Sequence, residues 1–323
     1  MPAPIAVTGA TGFVGSHLIR RLRDEGLPVR ALVRSTRHAP ELRALGCEAA
    51  VGDVRDRASL AAAFAGCSAV VHLVAIIRER RGQTFDAINR QGAANAVGAA
   101  ADAGVGRFVL LSALGAARDA PRYPRSKWAG EEAVRAGGVP FVIFRPSILL
   151  GSGGGAAAQF ADITRFGLWY PLVLLIGARG LFRMLASLTP IVPVLGTGRY
   201  RSMPVAVDDL LPAVRAALDR DDVLGQTYEI GGPEILTYDE LVGRVARVLG
   251  LRRLLLHLPD PLAQRLVAAF ALLPDPPITR DEADALLVDN LCDPAPAVRT
   301  FGLRLRPVEQ ALREALTPSR EKA

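Results

Sequence analysis

The sequence predicts a doubly wound α/β fold, a parallel sheet covered by helices on both faces, followed by a smaller, mostly helical C-terminal lobe. Three observations predict it. Short apolar runs alternate strictly with longer amphipathic stretches through the first 150 residues, a glycine-rich turn follows the first run, and the alternation stops after Gly151. Strand and helix in strict alternation imply right-handed crossovers and a sheet buried on both sides.

The runs IAVTG, VRALVR, EAAVGD, AVVHLVA, RFVLLS and PFVIFRPS are each short and apolar or β-branched, as strands buried on both faces must be. Between them, 13–25, 56–65, 84–103 and 123–137 read as helices. After Gly151 the pattern changes: GSGGG is a flexible break, and an apolar, helical region runs to about residue 195. A short strand around MPVAV, a helix from Asp208 and a strand QTYEI follow. Thr237 with Glu240 forms a capping box that opens a helix over 238–249. The expected division is a dinucleotide-binding core over 1–150, to which 200–232 returns, and a substrate or partner lobe made of 151–199 and 233–323.

Half of the 323 residues are apolar and 22% are charged, the balance of a globular chain. The formal charge of +7 suits phosphorylated ligands, a membrane surface or nucleic acid. Nucleic acid is set aside, because the arginines are scattered among acids, aromatics make up only 6%, and no finger, helix-turn-helix or stacking module is present. Cys47, Cys67 and Cys292 show no metal or redox spacing and read as small apolar residues in a reducing compartment. His17, His38, His72 and His257 are too dispersed for a metal site, so no metal is expected. The N-terminus enters a strand without a basic segment and an apolar signal core, which gives a cytoplasmic expectation.

TGATGFVG, residues 8–15, places Gly9, Gly12 and Gly15 between a strand and a helix. Glycine there permits a tight turn and lets backbone approach a pyrophosphate, which sits against the positive end of the helix. This is the phosphate-binding turn of a Rossmann core. At the end of the second strand, an acid would accept the ribose hydroxyls of NAD, whereas arginine suits the 2′-phosphate of NADP. ALVRSTR supplies Arg34 and Arg37, so NADP(H) is preferred, with NAD(H) as the alternative.

YPRSK, residues 123–127, holds one of only two lysines, Lys127 and Lys322, in a chain with 39 basic residues. Spacing of i,i+4 puts Tyr123 and Lys127 on one helix face. TGATGFVG, GDVRD, VVHLVA, INRQGAANAV, YPRSK and RPSILLG occur in an order that resembles the short-chain dehydrogenase/reductase superfamily. AIIRER, FVLLSALGA and EIGGPEILTYDELV make the chain similar to an atypical extended branch, that of the nucleotide-binding accessory subunit of mitochondrial respiratory complex I and its bacterial relatives.

That resemblance implies that Gly9, Thr11, Gly12, Phe13, Val14 and Gly15 line the pyrophosphate, and that Asp53 and Val54 meet adenine. It also implies that Leu73, Val74 and Ala75 follow the coenzyme and that Pro146 to Ile148 lie near the nicotinamide. Tyr123 would transfer a proton while hydride moves at C4 of nicotinamide. Lys127 would stabilise the phenolate and hold the ribose. Ser112 would hydrogen-bond the substrate oxygen, although an alignment shifted by one residue puts Ala113 there. His72 reads as strand-end packing and Asn89 as structural support. Ser112 lies 11 residues before Tyr123, a shorter loop than in sugar-nucleotide epimerases, which argues against that chemistry.

Residues 166–196, FGLWYPLVLLIGARGLFRMLASLTPIVPVLG, form an apolar insert. The uninterrupted part, Leu168 to Ala178, contains Pro171 and is too short for a bilayer span of about 20 residues. Core packing, the wall of a hydrophobic substrate pocket and an interfacial segment with Trp169 and Tyr170 at headgroup level are the three readings. The function expected is NADP(H)-dependent oxidoreduction of a hydrophobic carbonyl, alcohol or quinone-like molecule. The alternative is a non-catalytic NAD(P)H-binding assembly or redox-sensing subunit at a membrane complex.

Overall fold

The β-branched and apolar runs of the first 146 residues become the strands β1 (Ile5–Thr8), β2 (Val29–Val33), β3 (Glu48–Val51), β4 (Ala69–His72), β5 (Arg107–Leu111) and β6 (Phe141–Pro146). The computed structural model describes residues 2–80, 82–273, 276 and 278–317; Lys322 lies outside them. Helices α1 (Phe13–Asp24), α2 (Ala39–Ala44), α3 (Arg57–Phe64), α4 (Gln91–Asp102) and α5 (Arg122–Ala136) alternate with these strands. A single π-helical turn, Asp86–Arg90, leads into α4.

A seventh strand, Gln226–Ile230, pairs in parallel with β6, and the sheet runs Gln226–Ile230, β6, β5, β4, β1, β2, β3. Ile5 aligns with Val29 on one side and with Ala69 on the other, so β1 and β4 flank the point where the strand order reverses. Ligands of open parallel sheets bind beyond the carboxyl ends of strands at that point. All four residues of β1 and of β4 are buried, which explains their unbroken apolar pattern. One face of the sheet is closed by Leu60 and Phe64 of α3, Ala96 and Ala100 of α4, and Val134 of α5 around Phe108 and Ile143. The alanines of α4 are small enough for α3 and α5 to approach closely on either side.

A carboxylate sits inside this unit. Glu131 of α5 is fully buried and accepts two hydrogen bonds from Arg145, at 2.9 and 2.7 Å, and one from Arg135 at 3.0 Å. A carboxylate without water needs such paired, charge-assisted bonds.

The chain divides into two compact units. The first is the chain up to Pro146 with Val207–Ile230 and Asp293–Arg304; the second is Ser147–Ala206, Gly231–Cys292 and the chain from Leu305. Two features differ from the sequence expectation. The strands near residue 204 do not join the central sheet: Arg201–Ser202 pairs with Leu236–Thr237 and Val205–Ala206 with Leu149–Leu150, all within the second unit. Pro204, which lacks an N–H, separates them, so neither ladder extends. Conversely, Asp293–Arg304 belongs with the first unit, where the Phe301 ring meets Tyr228 edge-on at 4.8 Å and Phe144 at 5.5 Å.

The second unit has a parallel pair, Ile191–Leu195 with Leu254–Leu258, among its helices. The capping box forms as the sequence predicts: Glu240 accepts from the Thr237 N–H at 2.8 Å, and Thr237 Oγ1 accepts from the Glu240 N–H at 3.2 Å. The apolar insert is broken into Tyr170–Ile176 and Arg179–Leu188, because Pro171 starts the first piece and Gly177, at φ +72°, ends it. Among the described residues, no helix is long and apolar enough to cross a membrane.

Candidate coenzyme and active site

The glycine turn is built by close backbone approach. Gly9 has φ +70°, open to glycine at little cost, and its carbonyl accepts from the Gly12 N–H at 2.9 Å. A Cβ on Gly15 would lie 2.2 Å from the Gly9 oxygen, so no other residue lets α1 start here. Gly12 precedes α1 without a side-chain cap, and no acid occupies the first turn. The first-turn N–H groups therefore remain available to an anion at the positive end of the helix. Thr11 and Gly12 are exposed, while Phe13 and Val14 are half-buried. These residues fit a dinucleotide pyrophosphate.

Arg34 and Arg37, just past β2, are exposed, and neither forms an ion pair with another described residue. Asp53 is engaged instead by Arg55, which donates to its two oxygens at 2.9 and 2.6 Å and holds the carboxyl below its usual range against the opposing effect of burial. Val54 is buried, and its carbonyl accepts from Asn95 at 2.9 Å. Asn95 was not singled out in the sequence, although it lies within the INRQGAANAV motif.

Leu73, Val74 and Ala75 follow β4. The Leu73 N–H donates to Thr8 Oγ1 at 3.2 Å, and the backbone of Leu73 and Val74 runs so near Gly9 that a Cβ there would meet it at 3.3 Å. The Asn89 carboxamide then clasps Ile76, accepting from its N–H at 2.8 Å and donating to its carbonyl at 3.0 Å. Asn89 also donates to Ser126 Oγ at 2.9 Å, and Ser126 donates to the Tyr123 carbonyl at 2.6 Å. Asn89 thus ties the coenzyme loop to α5, consistent with the support role expected from the sequence.

Lys127 is buried, and its Nζ donates to the Leu111 carbonyl at 2.8 Å. Burial pushes its ammonium pKa down to about 8, with Glu131 opposing part of the shift. Tyr123, one turn earlier, is half-buried with its ring 5.9 Å from Phe85, and burial pushes its phenol up to about 12. His72 is held near 3, first by burial and then by the Lys127 charge, so it is neutral. It shares a 3.0 Å hydrogen bond with Thr8 at the strand ends, in line with a packing role.

The Ser112 hydroxyl donates to the buried Glu131 carboxylate at 2.5 Å. Pro146 closes β6, and its carbonyl accepts from Leu114 at 2.9 Å. Ile148 falls on the second unit, where its carbonyl accepts from Val205 at 2.9 Å. Trp169 is half-buried; it stacks on Phe182 at 6.1 Å and donates to Thr189 at 2.7 Å. Among the described residues no cluster of ligands suited to a metal ion occurs.

Residues 9–164 match the model of a family described as NAD(P)H-binding. The chain is 33% identical over 279 residues to the ceramide reductase of Caulobacter vibrioides, spanning 84% of this chain and 80% of that protein. It is 30% identical over 302 residues to the mitochondrial NADH dehydrogenase (ubiquinone) 1 alpha subcomplex subunit 9 of Arabidopsis thaliana, spanning 88% and 70%. A short-chain dehydrogenase/reductase superfamily protein from Agrobacterium tumefaciens, solved with bound NAD, shares the fold with a TM-score of 0.67 at 24% identity, over 96% of this chain and 94% of that one. The chain belongs to the NAD(P)-binding, short-chain dehydrogenase/reductase-like family of oxidoreductases.

Two outcomes follow from this geometry. Gly15→Ala places a methyl against the Gly9 carbonyl and should lower unfolding free energy by about 1–3 kcal/mol while weakening coenzyme binding, as read by urea denaturation and calorimetry. For Lys127, the folded pKa of about 8 lies below the ordinary value of 10.5, so between these pH values the unfolded chain holds the extra proton. Stability from this group therefore rises with pH across that window, by up to roughly 3 kcal/mol. Denaturation of wild type and Lys127→Met from pH 7.5 to 10 should show the rise only in the wild type.

Proposed function

We propose that the protein is an NADP(H)-dependent oxidoreductase acting on a carbonyl or alcohol of a hydrophobic, lipid-like or quinone-like molecule. The observation that carries this reading is the buried Lys127 ammonium, one helical turn from Tyr123, in a chain that otherwise places arginine at nearly every basic position. A buried lysine is costly, and its retention needs a task that a guanidinium cannot perform. When bound, the coenzyme supplies or accepts the hydride. Tyr123 delivers the proton to the carbonyl oxygen in the reductive direction and takes it back in the other. Lys127 offsets the charge left on the phenolate. The exposed guanidiniums of Arg34 and Arg37 favour the extra phosphate of NADP(H).

A second reading rests on a different observation. The Tyr123 phenol sits at about 12 with burial as its sole cause, and Ser112 is tied to Glu131. Both suit a protein that binds NAD(P)H without turnover, as an assembly or sensing partner of a membrane complex. In either reading residues 166–196 are the surface proposed to meet a membrane or membrane complex. Leu168, Leu174, Ile176, Leu181, Met184 and Leu188 are exposed there, and the segment carries Arg179, which pairs with Asp162, and Arg183, with no acid of its own.

Loss of NADPH absorbance with long-chain ketones and quinones separates the readings. Tyr123→Phe should cut turnover by at least ~100-fold while leaving coenzyme affinity nearly unchanged; undiminished turnover removes Tyr123 from the chemistry. Arg34→Ala with Arg37→Ala should weaken NADPH by about tenfold or more and NADH little, and equal losses would remove the phosphate assignment. Sedimentation with anionic vesicles should be seen at low salt and fall at high salt; its absence in both would discard the membrane surface.

A further inference from the structure

The second unit encloses a cavity of about 110 Å³. Its walls come from the helices Gly155–Phe166, Asp260–Phe270 and Arg280–Leu286 and from the paired strands Ile191–Leu195 and Leu254–Leu258. Ile163, Leu195, Leu258, Leu266, Phe270 and Leu286 supply most of the apolar lining. Among the described residues no charged side chain lines it; its polar residues are Gln159, which is exposed, and Tyr170, Tyr200 and Tyr238. An apolar void of this kind destabilises a core in proportion to its volume, so elements free to repack would be expected to close it.

We propose that this cavity is a binding site for the terminal segment of one unbranched hydrocarbon chain of a lipid, the rest of which lies outside it. A cavity without a charged or strongly polar wall rejects a sugar nucleotide or a charged headgroup, because each would leave buried polar groups unpaired. It accepts methylene groups, each of which gains by leaving water. A second feature points to a chain drawn from a lipid phase. Gly167, Tyr170 and Pro171 form part of the cavity wall, and the same stretch of sequence carries the exposed Leu168 and Leu174. Wall and apolar surface are thus continuous along the chain. The inference concerns the second unit alone, and it rests on the proposed oxidoreductase reading only for calling the bound lipid a substrate.

The test is binding of cis-parinaric acid, a polyene chain whose fluorescence rises on leaving water, below its micellar concentration and without coenzyme. One saturable site, emptied by 1-hexadecanol, is expected. Ile163→Trp and Leu266→Trp fill the cavity and should each weaken binding at least about tenfold, whereas Leu45→Gln, on the surface of the first unit, should leave it unchanged. If either tryptophan variant fails to fold, the wild-type melting temperature decides: 1-hexadecanol should raise it, and no rise overturns the proposal. Absence of saturable binding overturns it too, as does displacement by menadione but not by 1-hexadecanol, or loss in the surface variant alone. Tyr123-dependent turnover of a short-chain ketone, retained without chain binding, would overturn the cavity proposal and spare the enzymatic one.

Discussion

The structure depends on how closely α1 approaches the turn that follows β1. With Gly15 against the Gly9 carbonyl, the first helical turn is brought over the end of β1 with its N–H groups unspent. Glycine at this contact has a direct physical cause, since any side chain would separate helix from strand and remove the anion site with it. The same turn sets the position of the next loop, because Gly9 packs on the backbone of Leu73 and Val74. From there a relay of hydrogen bonds runs through Ile76, Asn89 and Ser126 to the backbone of Tyr123. The phosphate turn and the helix bearing the phenol are thereby parts of one rigid array, as a site that aligns coenzyme and acid requires.

Charge inside this unit is handled in two contrasting ways. Glu131 is neutralised by two arginines and a serine, a fully partnered carboxylate that fixes α5 against β6. Lys127, four residues earlier, has one carbonyl partner and a pKa drawn toward neutrality. Full pairing marks a structural ion; partial pairing leaves a group able to respond to charge that arrives with a ligand. The two residues lie on the same helix, and only their partners separate their roles.

Much of this was legible in the sequence because it was local. Five of the six strands up to Pro146 and their helices follow from burial on both faces, β3 being a half-buried edge strand, and the glycine turn follows from spacing alone. The capping box at Thr237 was readable for the same reason: both partners lie within one turn. The parts that were not legible depend on contacts distant in sequence. FVLLS ends in a serine at the expected place, but which way its hydroxyl points depends on Glu131 and Arg145, 19 and 33 positions on. The return of Asp293–Arg304 to the first unit depends on Phe301 finding Tyr228 and Phe144, and its own pattern carries no sign of that partner. Around MPVAV, strand propensity was real but Pro204 limited each ladder to two residues. The apolar insert carried helical signal throughout, while the places where it breaks were set by Pro171 and Gly177.

Isothermal titration of the wild-type protein with NADPH tests the central claim most directly, since the phosphate turn is the feature on which the other assignments rest. One coenzyme per chain, with heat that vanishes in Gly15→Ala protein that remains folded, is the result the account predicts. Folded wild-type protein that takes up neither reduced nor oxidised pyridine nucleotide would contradict it.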